Sequence, residues 1–182
     1  MGTKDTAQWN VYEMEYAGGA VMSSIAFVPF SINHYDKYIA LMNECFYEMR
    51  KALNVQPYAE QHRGLDSPHV LAQNTYLYLD DNEIVCAVTI DGNVIKSLAV
   101  NQKYQRQGYA RKAMLFAMHR LQSHNISPLK LTVTKWNERA LALHKSLGFL
   151  LTREYVVKGY NTQNADGSYS FVFEETTDLE IR

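Results

Sequence analysis

The sequence predicts an α/β fold in which a mixed sheet carries helices on its faces. Two patterns lead there. Apolar residues recur at spacings of three and four over residues 35–49, between runs of β-like composition. Further on, three apolar runs are separated by the short polar turns "DDNE" and "DGN", and they give way to alternating helical and extended segments. With 182 residues and 47% hydrophobic content, the chain is long enough for one sizeable core and short for two ordinary domains.

Residues 1–23 read as an N-terminal appendage: "WNVYEMEY" can form a strand, and the glycines of "AGGA" then interrupt it. Residues 24–182 read as a single domain. "SIAFVPF" is a β-like run ending at Ser31, a residue type that caps helices. In the helix that follows, Tyr35, Tyr38, Ile39, Met42, Cys45, Phe46 and Met49 share one face, with Asp36, Lys37, Asn43 and Glu44 opposite. Residues 54–72 hold two prolines, a glycine and scattered charge, which predicts a loop with one short helix. "TYLYLDDNEIVCAVTIDGNVIKSLAV" is an antiparallel meander of three strands. After it come a helix over about 107–123, a strand "LKLTVTK", a helix from Asn137 to Leu147, a strand "FLLTREYVVKGY", a turn and the strand "YSFVFEET".

A formal net charge of -1 supplies no global field, so nucleic acid and anionic membranes are not suggested as partners. The two cysteines, Cys45 and Cys86, lie in apolar-patterned segments without metal-ligand spacing. They predict buried thiols and a reducing, cytoplasmic setting. The longest apolar run is too short to cross a bilayer. "MGTKDT" fits a myristoylation pattern, which is permissive enough to be a chance match.

The stretch "YQRQGYARKAM", residues 104–114, joins the end of the meander to a helix with Ala110, Ala113, Met114, Ala117 and Leu121 at core spacing. At a helix start the first N–H groups lack intrahelical partners and the dipole favours an anion. Gly108 leaves the backbone open to a phosphate, and Arg106 and Arg111 add cationic donors. The run Gln105-Arg106-Gln107-Gly108-Tyr109-Ala110 resembles the Gln/Arg-x-x-Gly-x-Gly/Ala signature of the GNAT superfamily of acyl-CoA-dependent N-acyltransferases. "NERALALHKSLGF", Asn137 to Phe149, resembles the second segment of that family, in the family's order. Dinucleotide folds and P-loops ask for glycines and a lysine that are not there.

The resemblance implies a GNAT-like α/β fold: a mixed, mostly antiparallel central sheet of about six or seven strands flanked by about four helices. It implies acetyl-CoA as co-substrate, no metal, and transfer of an acetyl group to a primary amine by direct attack in a ternary complex. Leu98 and Val100 would offer main-chain groups to the pantetheine arm and the acetyl carbonyl. Gln105, Arg106, Gln107, Gly108, Tyr109 and Ala110, with Arg111 nearby, would take the pyrophosphate mainly by backbone N–H. Asn137 would reach the pantetheine arm where the fourth and fifth strands of the family's sheet splay apart. His144 stands where many members have a tyrosine thought to protonate the departing thiolate. It is either a core histidine or a general acid, since an imidazolium of ordinary pKa donates a proton near neutrality.

No base is assigned. Glu83 and Asp91 sit in or beside turns, and Tyr76, Tyr78, Ser97, His62 and His69 are further candidates. The acceptor, a small-molecule or protein amine, is expected to be bounded by the first helix and residues 54–72, with Tyr58, Glu60, His62 and His69. A homodimer through sheet edges is compatible with such a fold. The alternative to an enzyme is a non-catalytic GNAT-fold module that binds or senses acyl-CoA.

Overall fold

The computed structural model describes residues 5–59 and 67–179, so the myristoylation-like start, Glu60 and His62 lie outside the described residues. In chain order the elements are β1 (Asp5–Tyr16), β2 (Val28–Pro29), α1 (Tyr35–Ala52), α2 (Pro68–Asn74), β3 (Thr75–Asp80), β4 (Glu83–Asp91), β5 (Val94–Val100), α3 (Tyr109–Ser123), β6 (Lys130–Thr134), α4 (Glu138–Ser146), β7 (Phe149–Gln163) and β8 (Tyr169–Leu179). Short 3-10 turns at Ile32–His34 and Gln102–Tyr104 precede α1 and α3. The fold is mixed α/β and mostly antiparallel, as predicted, with eight strands and four α-helices among the described residues.

Two compact units share the chain. A meander unit holds Tyr16–Cys45 and Glu60–Leu131; a hairpin unit holds Met1–Glu15, Phe46–Ala59 and Thr132–Arg182. Strands run in the order β2-β3-β4-β5-β6 in the first and β6-β1-β7-β8 in the second, with β6 divided between them.

In the meander unit the turn between β3 and β4 places Asp81 (φ 44°) and Asn82 (φ 62°) in the left-handed region, the geometry that matches the twist of a two-residue hairpin. Every residue of β4 from Ile84 to Ile90 is buried, the signature of a strand covered on both faces. One buried polar pair interrupts the apolar packing: the hydroxyls of Thr75 and Thr89 lie 3.0 Å apart and satisfy each other. α3 packs on β4 and β5 through buried Ala113, Met114, Ala117, Met118 and Leu121. Where the sequence predicts a longer strand before α1, β2 keeps only two residues, with Pro29 at a position that gives no N–H to β3 and the Phe30 N–H donating to the Thr75 carbonyl at 2.9 Å.

In the hairpin unit β7 and β8 pair antiparallel with a bulge between Lys158 and Gly159. A Cβ on Gly159 would collide with the Val172 carbonyl and the Phe171 ring, so glycine is what allows that ring to pack there. The segment predicted as an appendage supplies β1, which lies between β6 and β7 and buries Ala7, Val11 and Met14. Its polar residues hid this in the sequence, because their partners are distant in the chain. Asn10 donates to Glu154 Oε1 at 2.8 Å, and the Thr152 hydroxyl donates to the Glu13 carbonyl at 3.1 Å.

Buried Asn161 on β7 locks the same unit together. Its amide donates to Asp5 Oδ2 (2.8 Å) and the Asn54 carbonyl (3.0 Å), and its Oδ1 accepts from the Gln56 N–H (2.8 Å). The Asn161 bond, with a second from Asn54 Nδ2 to Asp5 Oδ1 at 2.8 Å, holds the Asp5 carboxyl below its usual range.

Met118 on α3 is 0% exposed. Met118→Ala is expected to lower unfolding free energy by about 2–5 kcal/mol in urea titration, the cost of lost burial plus an unfilled cavity.

Candidate functional site

The site begins with a change of register in the meander unit. Thr89 pairs with Ser97 but Ile90 pairs with Ile95, so Lys96 is an extra residue bulged out of β5. Beyond it the Asn101 N–H donates to the Val85 carbonyl at 2.9 Å, which marks that pair as hydrogen-bonded. Alternation then leaves Leu98 opposite Val88, and Val100 opposite Cys86, as pairs that exchange no main-chain bonds. Their polar main-chain groups point away from β4. On that side the parallel ladder to β6 consists of Val94↔Lys130 and Ile95↔Leu131 and goes no further. The sequence expectation singled out Leu98 and Val100, and they are the residues whose backbone faces this open edge.

The turn after β5 is built to present backbone. Asn101 Oδ1 accepts from the Lys103 N–H at 3.2 Å and opens the 3-10 turn. Arg106 (φ 63°) and Gly108 (φ 85°) both adopt the left-handed conformation, which is costly for arginine and free for glycine. Nothing lies within 4 Å of the position a Cβ on Gly108 would occupy. The glycine therefore answers to its backbone angle, and the space above it is open. The first intrahelical bond of α3 runs from the Lys112 N–H to the Gly108 carbonyl at 3.1 Å, so the N–H groups of Tyr109 and Ala110 precede the ladder at the positive end of the dipole.

Side chains around the turn face elsewhere. Gln105 Nε2 donates to the Val100 carbonyl (3.0 Å) and Gln107 Nε2 to the Lys103 carbonyl (3.1 Å). Arg106 and Arg111 are exposed. The Tyr109 ring packs 5.6 Å from Tyr78 and 6.0 Å from Tyr104, with Lys112 Nζ 4.7 Å from its centroid. Two α1 residues absent from the sequence-based site also touch the region: Cys45 Sγ donates to the Val100 carbonyl at 3.3 Å, and Glu44 Oε1 accepts from the Gln102 N–H at 3.1 Å. No local pattern could have marked them, since each partner lies more than fifty residues downstream.

In the hairpin unit Asn137 caps α4, its Oδ1 accepting from the Ala140 N–H at 3.1 Å. The cap occupies the carbonyl and leaves the amide nitrogen to donate. His144 is 9% exposed, lies edge-on to Phe149 at 6.1 Å, and its buried Nδ1 has no hydrogen-bond partner. Burial pushes its pKa down to about 4, so the imidazole is neutral at pH 7. It points inward as expected, but the charged form on which a general acid would draw is the one burial disfavours.

The candidate bases are engaged elsewhere. Glu83 pairs with Lys103, whose hydrogen bond holds the carboxyl below its ordinary range, and Asp91 pairs with Lys96 at 2.5 Å. Tyr76 packs against Phe116 and under Arg120, Tyr78 against Phe27 and Tyr109, and His69 pairs with Gln73 at 3.0 Å. Tyr58 donates to Asn54 Oδ1 at 2.9 Å, and Ser97 is half-buried on β5. Among the described residues no group of three or more His, Cys, Asp or Glu could hold a metal, and no helix is long and apolar enough to cross a membrane.

The low pKa of His144 has a consequence for stability. An unfolded histidine protonates near 6.5, before the folded one, so the contribution is complete above pH 6.5 and lost as pH falls toward about 4. That loss is on the order of 3 kcal/mol. His144→Phe is expected to flatten the fall in stability between pH 7 and pH 4.5, measured by denaturant titration at each pH.

The family model of the Acetyltransferase (GNAT) family matches residues 35–149, more than half of the chain. A [Ribosomal protein bS18]-alanine N-acetyltransferase from Haemophilus ducreyi is 37% identical over 65 residues, covering 36% of this chain and 45% of the relative. Its counterpart from Escherichia coli K12 is 34% identical over 65 residues, covering 36% and 44%. The match thus spans less than half the length of these curated relatives. Among solved structures, a GNAT-family protein from Novosphingobium aromaticivorans superposes with a TM-score of 0.60 at 16% identity, over 85% of this chain and 66% of that one. PaiA N-acetyltransferase from Thermoplasma acidophilum, solved in complex with coenzyme A, superposes with a TM-score of 0.57 at 14% identity, over 80% and 96%. These structures share the fold, and the match over residues 35–149 shows that the chain belongs to the GNAT acetyltransferase family.

Proposed function

We propose that the chain is an N-acetyltransferase that moves an acetyl group from acetyl-CoA to a primary amine by direct attack in a ternary complex. One observation carries this reading: the turn at 105–108, with Arg106 and Gly108 both left-handed, opens α3 directly after an unpaired strand edge. Backbone strain of that kind persists where a ligand uses the geometry. The open space over Gly108 suits a pyrophosphate. Acetyl-CoA supplies the activated thioester, and what this chain contributes is positioning and fixed dipoles. Orientation of that sort is worth about 7–11 kcal/mol in favourable cases.

On this reading the backbone from Gln105 to Ala110 binds the pyrophosphate, with Arg106 and Arg111 adding charge at its rim. Leu98 and Val100 orient the pantetheine arm and polarise the acetyl carbonyl, and Asn137 donates its free amide to the arm. His144 takes the place of the family's tyrosine as a neutral hydrogen-bond donor to the leaving sulfur. As an imidazolium of pKa about 4 it would be populated only about one part in a thousand at pH 7. The acceptor is a primary amine, and the activity named for the curated relatives makes a protein N-terminus the first class to test. Free Cys45 and Cys86 agree with a cytoplasmic setting.

A second reading, a module that binds acyl-CoA without turnover, is favoured by the ion pairs that occupy Glu83 and Asp91. The two readings separate in solution. Calorimetry is expected to show micromolar desulfo-CoA binding that Gly108→Glu abolishes. Gly108→Ala is expected to lower unfolding free energy by about 1–2 kcal/mol, the cost of a left-handed alanine in the free fold. Retained binding with no amine-dependent consumption of acetyl-CoA favours the sensor, and no binding removes both readings.

In the enzyme, His144→Phe is expected to lower kcat about tenfold while the KM for acetyl-CoA is unchanged, as for one lost hydrogen bond made in the transition state. The wild-type kcat is expected to show no break assignable to His144 between pH 6 and pH 8, because the residue does not titrate there.

A further inference from the structure

Two side chains from different elements converge on one main-chain oxygen at the open edge of β5. Gln105 Nε2 reaches the Val100 carbonyl at 3.0 Å from the turn before α3, and Cys45 Sγ reaches it at 3.3 Å from α1. A carbonyl oxygen has two lone pairs, and these donors use both. Val100 then offers the open edge its N–H alone. Burial raises the Cys45 thiol to about 11, so the side chain stays protonated and remains a donor throughout the working pH range.

We propose that Gln105 and Cys45 are positioning residues for the pantetheine arm, acting through the Val100 carbonyl rather than by touching the cofactor. The inference rests on the acetyl-CoA reading and adds a role for the Gln105 side chain to that of its backbone. The backbone stays among the expected pyrophosphate contacts, while the side chain is turned back onto β5 and bonds the last residue of the strand. The neighbouring anchors belong to the same clasp. Glu44 holds the Gln102 N–H at 3.1 Å, and Asn101 Nδ2 donates to the Ile84 carbonyl at 3.4 Å. α1 and β4 thereby hold the end of β5 in register with the turn that follows.

The two roles predict different ligand dependence. 3′-Phosphoadenosine 5′-diphosphate carries the pyrophosphate without the arm, and desulfo-CoA carries both. Calorimetry with each ligand is run on the full chain and on Gln105→Leu, Cys45→Val and Cys45→Ser, with thermal melts to confirm folding. Gln105→Leu and Cys45→Val are each expected to weaken desulfo-CoA about fivefold, as for one lost hydrogen bond, and to leave the arm-less ligand unchanged. Cys45→Ser, which keeps a donor, is expected to bind both ligands as the wild type does. The Gln105→Leu/Cys45→Val double variant is expected to depart from additivity, since both donors share one acceptor.

Equal weakening of both ligands by Gln105→Leu would make Gln105 a phosphate contact and overturn the proposal. Unchanged desulfo-CoA affinity in both single variants would overturn it too, with the acetyl-CoA reading intact. Should Cys45→Val not fold, Gln105→Leu and Cys45→Ser still decide the matter. Failure of the wild type to bind desulfo-CoA would remove the proposal together with the reading beneath it.

Discussion

Everything distinctive about the meander unit follows from a strand that runs out of partners. Past the bulge at Lys96, alternate residues of β5 turn their main-chain groups away from β4, and the ladder to β6 has already ended at Ile95. A folded chain rarely leaves backbone donors and acceptors unsatisfied, so such an edge has to be met by side chains, water or a ligand. At Val100 side chains meet the demand for the carbonyl and leave the N–H for something else. Recognition by main chain needs no particular side chain at these positions. Leu98 and Val100 are ordinary apolar residues, and what sets them apart is the pairing their strand lacks.

The turn that follows is strained, and helix packing holds it. A left-handed arginine costs on the order of 1–2 kcal/mol. α3 opposes that cost with five buried residues on one face, two of them methionines at 0% exposure. The strap before β2 adds to its grip: the Gln122 side chain accepts from the Val21 N–H and donates to the Gly19 carbonyl, and His119 Nδ1 bonds the Val21 carbonyl at 3.0 Å. A rigid helix start fixes the direction of its first N–H groups, which is what an anion site requires.

Local chemistry was legible in the sequence, and long-range pairing was not. The hairpin turns, the helix of residues 35–52 and the cap at Asn137 follow from patterns a few residues long, and each stands where the spacing put it. Gly108 was readable as a special position, although its reason is its angle as well as its missing side chain. β1 was misplaced because a strand with Glu13 and Glu15 looks exposed until Arg153, Thr152 and Glu154 are brought beside it from β7. Cys45 and Glu44 escaped for the same reason, as their acceptor and donor lie more than fifty residues further along the chain. The bond from the Gln105 side chain to the Val100 carbonyl was not legible, since a motif records which residue is present and says nothing of its rotamer.

His144 shows how position and protonation come apart. Its place on α4, facing inward, follows from helical periodicity, and an inward polar residue ordinarily finds a partner. Here Nδ1 has none, and burial alone moves the pKa to about 4. A buried histidine without a carboxylate beside it cannot hold a proton in reserve at neutral pH. A neutral imidazole still carries one N–H, whichever nitrogen bears it, and so can donate one hydrogen bond without changing charge. A tyrosine hydroxyl at the same position also begins neutral. On the proposed reading, what histidine shares with a tyrosine there is an uncharged donor in an apolar setting.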